Sequence, residues 1–196
     1  MTTWLVVGLG NPGDRYARTR HNVGQMVVDE LASRAGTKLT SHKANAQVAQ
    51  VRFTMGGDKV VLAKPNTFMN TSGGPVANLA KYFSVSPEHI VVLHDELDID
   101  FDTLKLKIGG GHGGHNGLRD IAKAIDTQNY NRVRIGIGRP PGKQDPADFV
   151  LSEFSAAERA NLPVLISDAA DAVELIIREG LLAAQNSVHT VKGEPS

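Results

Sequence analysis

The stretch from Trp4 to Gly24 constrains this chain most. An apolar run, Trp4-Leu5-Val6-Val7, ends in Gly8-Leu9-Gly10-Asn11-Pro12-Gly13 and is soon followed by Arg20-His21-Asn22. This pattern reads as a strand that delivers polar groups to a tight turn. Gly8, Gly10 and Gly13 also satisfy the G-x-G-x-x-G spacing of a dinucleotide site, but their context does not. A dinucleotide site needs a helix that opens within the glycines and an acidic residue about twenty positions on that ends a second strand. Here Pro12 disfavours the helical region for Asn11, and Asn-Pro-Gly-Asp reads as a turn. Asp29 and Glu30 fall inside the pattern Val23, Val27, Val28, Leu31, which is a helix face. No nicotinamide cofactor is expected.

The 196 residues suit one well-buried core, so a single domain spanning 1–196 is expected. Absence of cysteine excludes disulfides, thiolate zinc sites and a cysteine nucleophile. No basic leader with a cleavage site opens the chain, and no run of about eighteen apolar residues occurs, so a soluble cytoplasmic protein with no membrane partner is expected. The zero net charge hides an uneven distribution. Between Lys105 and Lys143 stand eight basic residues and two acidic ones, a segment of net +6. Such a segment suits a local grip on an anionic partner. A solvated basic face balanced by acidic neighbours fits the same count.

Periodicity predicts strands at 4–9, 48–54, 59–63, 90–93, 104–108 and 133–137, the second and third forming a hairpin around Met55-Gly56-Gly57-Asp58. Helices are predicted at 23–35, at 72–83 with Ser72 near the start, and at 118–125. A long helical pattern covers 156–182, which Pro163 is expected to break or restart, and the tail from Ser187 is expected to fray. Alternating strands and helices give an α/β layered fold, and the hairpin makes its sheet mixed.

In open α/β sheets, sites form beyond the carboxyl ends of strands. Asn11, Asn70 and Asp95 follow or end such strands, and His21 lies in the loop before the first helix. The run Gly109-Gly110-Gly111-His112-Gly113-Gly114-His115-Asn116-Gly117 is too flexible for a core strand. A loop of that composition turns sharply or brings backbone close to a ligand.

Six strings in this order closely resemble the bacterial peptidyl-tRNA hydrolase family. They are Gly8 to Gly13 with Tyr16, Thr19 to Gly24, Lys64-Pro65 with Phe68 to Gly73, His94 to Asp98, Gly109 to Leu118, and Arg134 to Pro140. The resemblance weakens only after Phe154. It implies a monomeric three-layer α/β/α sandwich around a mixed, mostly parallel sheet. The implied activity is hydrolysis of the ester between a peptide and the terminal ribose of tRNA, with peptidyl-tRNA as partner and no cofactor. By this resemblance His21 is the catalytic histidine and Asp95 its carboxylate partner. Asn11 and Asn70 hold the peptide part, Asn116 places water or substrate, and Tyr16, Met69 and His115 line the cleft. Lys107, Arg134 and Lys143 lie where a tRNA backbone could be gripped.

The chemistry is coherent, because ester hydrolysis needs a base near neutral pH to activate water and histidine supplies one. Simpler roles exist for each residue: Asp95 could cap a turn in its acidic run, Asn11 could serve its own turn, and Met69 and Tyr16 could be packing. A metal-dependent hydrolase built on His94, Asp95, Glu96, Asp98, His112 and His115 has the right residue types but no H-x-x-x-H or H-E-x-x-H spacing. A serine hydrolase lacks its G-x-S-x-G turn. A non-catalytic RNA-binding module on the basic segment lacks interleaved aromatic residues, having only Tyr130 there.

Overall fold

The computed structural model describes the backbone of residues 1–191 and side chains through 189. The elements are β1 (Thr3–Gly8), α1 (Val23–Arg34), β2 (Thr40–His42), β3 (Ala46–Val51), β4 (Lys59–Pro65), α2 (Gly73–Tyr82), β5 (Ile90–Glu96), β6 (Leu104–Ile108), α3 (Asn116–Ile125), β7 (Asn131–Gly136), α4 (Pro146–Val150), α5 (Ala156–Glu179) and α6 (Leu181–Val191). Short 3₁₀ turns at Arg20–Asn22 and Met69–Thr71 precede α1 and α2.

One seven-stranded sheet has the order β2-β3-β4-β1-β5-β7-β6. β1 lies parallel between β4 and β5, and β7 is parallel to β5. The β3–β4 hairpin is antiparallel as expected, and β6 adds a second antiparallel edge against β7. Side chains alternate between two apolar cores. Val6, Leu62, Val91 and Leu93 face α1 and α5, whereas Leu5, Val7, Val61, Ile90 and Val92 face α2 and α3. Burying each such side chain is worth about 1.5–3 kcal/mol, so strands covered on both faces read as unbroken apolar runs. This is an α/β/α sandwich. Glycine sets the spacing of one layer: a Cβ on Gly8 would overlap the carbonyl oxygen of Gly24, and one on Gly24 would overlap that of Leu93. The first glycine of the apparent fingerprint therefore lets α1 approach the sheet.

Several predicted boundaries move. β5 extends to Glu96, so His94 and Asp95 are strand residues held by register with Arg134 and Ile135. Pro163 does not break α5, which runs unbroken past it. Its position is exposed, where a carbonyl left without a helical donor can be hydrated. Instead Gly180, at φ 92°, ends α5 and α6 begins. Ser72 does stand at the start of α2 as expected, but its hydroxyl donates back to the Met69 carbonyl, and the Gly73 amide is capped by Asp120 from α3 at 2.7 Å. The tail expected to fray from Ser187 is helical through Val191, with Gln185 and His189 bonded to the backbone of Leu106 on edge strand β6. The rest of that tail lies outside the described residues. Among the described residues, no helix is long and apolar enough to cross a membrane.

Candidate active site

The carboxyl ends of β1, β4 and β5 open into one cleft of about 620 Å³. Asn11 and His21 reach it from the β1–α1 connection, Met69 and Asn70 from the turn after β4, and Asp95 from β5. His115 and Asn116 at the start of α3 join them, and Pro146 to Leu151 close the opposite side. Of the expected cleft residues, only Tyr16 is not part of this wall. It packs edge-on against the exposed Phe68, with ring centroids 6.2 Å apart, beside the mouth. Met69 is 4% exposed and so belongs to the apolar core as well as to the cleft.

Asn22 converts the glycine turn into a rigid platform. Its Oδ1 accepts the Asn11 amide at 2.8 Å, and its Nδ2 donates to the Asn11 carbonyl at 2.9 Å. No helix opens on these glycines, so the turn lacks the helix-terminal amides that cradle a pyrophosphate in a dinucleotide site. Asn11 in turn crosses to the next loop, where its Oδ1 accepts the Met69 amide at 2.7 Å. That donor fixes the orientation of the Asn11 amide, leaving Nδ2 as its remaining donor.

Asp95 sits between two imidazoles. His21 Nδ1 is 2.7 Å from Oδ2, and His115 Nε2 is 2.8 Å from Oδ1. His115 also serves as the N-cap of α3, its Nδ1 accepting the amides of Gly117 at 3.1 Å and Leu118 at 3.3 Å. A nitrogen that accepts amides carries no proton, so His115 donates to Asp95 from Nε2. His21 donates from Nδ1, and among the described residues its Nε2 has no hydrogen-bond partner; the residue lines the cleft. Burial would raise the Asp95 pKa, but the two histidines outweigh it and hold the carboxyl well below its usual range. Burial likewise lowers the His21 pKa, yet the charge and hydrogen bond of Asp95 more than offset it and raise the net value above 6.5. Asp95 therefore does more than cap a turn.

His94 is buried behind this pair, edge-on to His115 at 5.0 Å. Its Nδ1 donates to the Asp95 carbonyl, and burial pushes its pKa down to about 3. It is a neutral packing residue. His21, Asp95 and His115 do place ligand atoms within 4.8 Å of one another. The nearest pairs, at 2.7 and 2.8 Å, are nonetheless spaced as hydrogen bonds, and one nitrogen of His115 is committed to α3.

The basic segment divides on folding. Arg132 is buried, donating to the carbonyls of Gly110 and Gly111 at 2.7 Å and lying over the Tyr130 ring. It anchors the glycine loop, where Gly109, Gly110, Gly113 and Gly114 adopt positive φ before His115. Arg139 pairs with Asp98. Lys107 and Arg134 lie on adjacent strands, and Lys143 is exposed in the loop before α4. Among the described residues none of these three makes an ion pair. Burial and then the charge of Arg134 lower the Lys107 pKa.

Some contributors escaped the sequence reading. Asn22 and Arg132 act through backbone atoms far along the chain, which no local pattern reveals. His115 is not among the usual N-cap residues, so α3 reads as starting at Leu118. α4 had a legible start, Asp145-Pro146, with Asp145 accepting the Ala147 amide.

Comparison with known proteins agrees with this geometry. A family model for peptidyl-tRNA hydrolase matches residues 5–195. The chain is 60% identical over 190 residues to the peptidyl-tRNA hydrolase of Paenarthrobacter aurescens, covering 97% of this chain and 98% of that one. It is 62% identical over 189 residues to that of Leifsonia xyli, covering 96% and 98%. The crystal structure of peptidyl-tRNA hydrolase from Acinetobacter baumannii superposes with a TM-score of 0.88 at 39% identity, over 96% of this chain and 95% of that one. With family model, sequence and fold in agreement over nearly its whole length, the chain belongs to the peptidyl-tRNA hydrolase family.

Proposed function

We propose that His21 is the general base of this hydrolase and that Asp95 orients and charges it. The reaction is cleavage of the ester between the peptide and the 3′-terminal ribose of tRNA. His21 Nε2 takes a proton from water as the water oxygen attacks the ester carbonyl. The imidazolium that forms is stabilised by Asp95 at 2.7 Å. Asn11 Nδ2 faces the charge developing on the carbonyl oxygen. Collapse of the tetrahedral intermediate breaks the bond to the ribose oxygen, which leaves with the proton held by His21. The observation that carries this reading is that His21 lines the cleft with Nδ1 bonded to a buried carboxylate and Nε2 unbonded among the described residues.

The remaining roles follow from position. Asn70 and Asn116, both exposed on the cleft wall, hold the peptide and the water. Met69 and His115 shape the floor, and Tyr16 flanks the mouth through Phe68. Lys107, Arg134 and Lys143, unpaired among the described residues, grip tRNA phosphates. The proposed mechanism needs no metal or cofactor. The cleft is built from elements packed on one seven-stranded sheet, in keeping with a single catalytic domain, and a monomer working in the cytoplasm, where translation takes place, completes this reading.

His21→Ala tests the central assignment. Turnover of peptidyl-tRNA should fall by about 10²–10⁴-fold, the range of general-base catalysis, with substrate affinity nearly unchanged. Activity within about threefold of the parent would remove His21 from the mechanism.

A further inference from the structure

The residue just before the proposed base has no part in the chemistry above, yet it is among the most heavily engaged polar side chains in the molecule. Arg20 is 7% exposed. Its Nη1 donates to the Ser152 hydroxyl and to the Glu153 carbonyl, the latter at 2.8 Å, and its Nη2 pairs with Glu158 at 2.8 Å. The guanidinium lies over the Phe149 ring at 4.0 Å. The backbone repeats the attachment: the Arg20 amide donates to the Ser152 carbonyl at 3.0 Å, and Thr19 bridges Glu153. All of these partners lie between 149 and 158, far along the chain and in the segment that joins α4 to α5.

That segment continues directly from α4, whose Pro146, Ala147 and Val150 line the cleft together with Leu151. α4 is only five residues long, too short to hold its place by its own hydrogen bonds. Glu158, the partner of Arg20, also closes the capping box of α5 by accepting the Ser155 amide through the same Oε1. One guanidinium thus joins the turn carrying His21 to the face of α4 and to the first turn of α5. We propose that Arg20 is a positioning residue that clamps the α4 wall at a fixed distance from His21, so that substrate seated in the cleft is pressed toward the base. It touches no substrate itself. The planar fork, with two nitrogens engaged and a face stacked on an aromatic ring, is a use to which lysine is not equivalent.

This inference rests on the cleft reading above, and its test has an arm that needs no turnover. Arg20→Gln, Arg20→Lys and Glu158→Gln are compared with the parent, using an N-acetylated aminoacyl-tRNA as substrate. Amide hydrogen exchange is followed across 146–152. In Arg20→Gln, exchange across 146–152 should rise at least tenfold while exchange in β1 and β5 stays at the parental rate. KM should rise at least fivefold with kcat within about twofold and with an unchanged acid limb of the pH profile. Arg20→Lys should lie between, keeping the ion pair but losing the fork. A general structural role would raise exchange throughout the sheet and leave KM alone, and that outcome overturns the clamp. Should Arg20→Gln fail to fold, Glu158→Gln decides, because it keeps an acceptor for the capping box and removes only the charge. Parental exchange across 146–152 together with parental KM in that variant also overturns it.

Discussion

His115 Nε2 lies 2.8 Å from Asp95 Oδ1 while the opposite edge of the same ring caps α3, so the carboxylate that serves His21 is tied directly to a helix start. The two functions of His115 are separable. Asn is among the preferred N-caps but is too short to bridge to Asp95 as the imidazole does, so His115→Asn should keep the cap of α3 and lose the bond to the buried carboxylate, lowering unfolding free energy by about 1.5–3 kcal/mol. It should also lower kcat/KM at least about tenfold, because Asp95 then loses one of the two side chains that hold it in place beside His21. Denaturant melts and steady-state kinetics on one variant check both. Lost stability with full activity would leave His115 a structural residue only.

The raised pKa of His21 sets the sign of the pH dependence. A base must be unprotonated, so kcat/KM should climb with pH and level off above a value higher than the ordinary 6.5 of histidine. Asp95→Asn removes the charge that raises it and leaves burial, which lowers it, so the acid limb should move toward lower pH. The plateau should fall as well, less completely than in His21→Ala, because a hydrogen bond remains but the imidazolium loses its counter-charge. An unmoved limb would show that another group sets the profile.

Although His21, Asp95 and His115 lie close enough to share an ion, the mechanism proposed here runs without a Lewis acid. Exhaustive chelation should leave hydrolysis of a short peptide-ester substrate unchanged. Such a substrate separates the chemistry from any effect of divalent ions on tRNA folding. Loss of activity, restored by adding a divalent ion, would count for the metal-dependent alternative.

Removing the charges of Lys107, Arg134 and Lys143 together should raise KM for peptidyl-tRNA and flatten its salt dependence, by roughly one unit of slope per lost phosphate contact. Turnover at saturation should change little. Asn11→Ala and Asn70→Ala should do the reverse, impairing turnover while binding of deacylated tRNA stays near the parental value. Equal salt slopes in the parent and the triple variant would make these three residues part of an ordinary solvated face.

Sequence alone determined what depends on near neighbours. The apolar runs at 4–7 and 90–93 fixed two strands buried on both faces, Pro12 ruled out a dinucleotide helix, and the glycine-rich hairpin made the sheet mixed. The ordered motifs also identified the family and, with it, offered His21, Asp95 and Asn11 as candidate site residues. What it could not supply were couplings beyond the reach of local patterns, because such bonds carry no periodicity. Only the folded chain put Asp120 on the Gly73 amide, Asn22 around Asn11 and Arg132 beneath the glycine loop. The same holds for the basic segment, whose charge was plain in the sequence. Burial decided that Arg132 is structural, and strand register decided that Lys107 stands opposite Arg132 and Lys105 opposite Arg134. A local pattern records which groups a segment offers. Which of them remain free for function is settled by what the rest of the fold has already bonded.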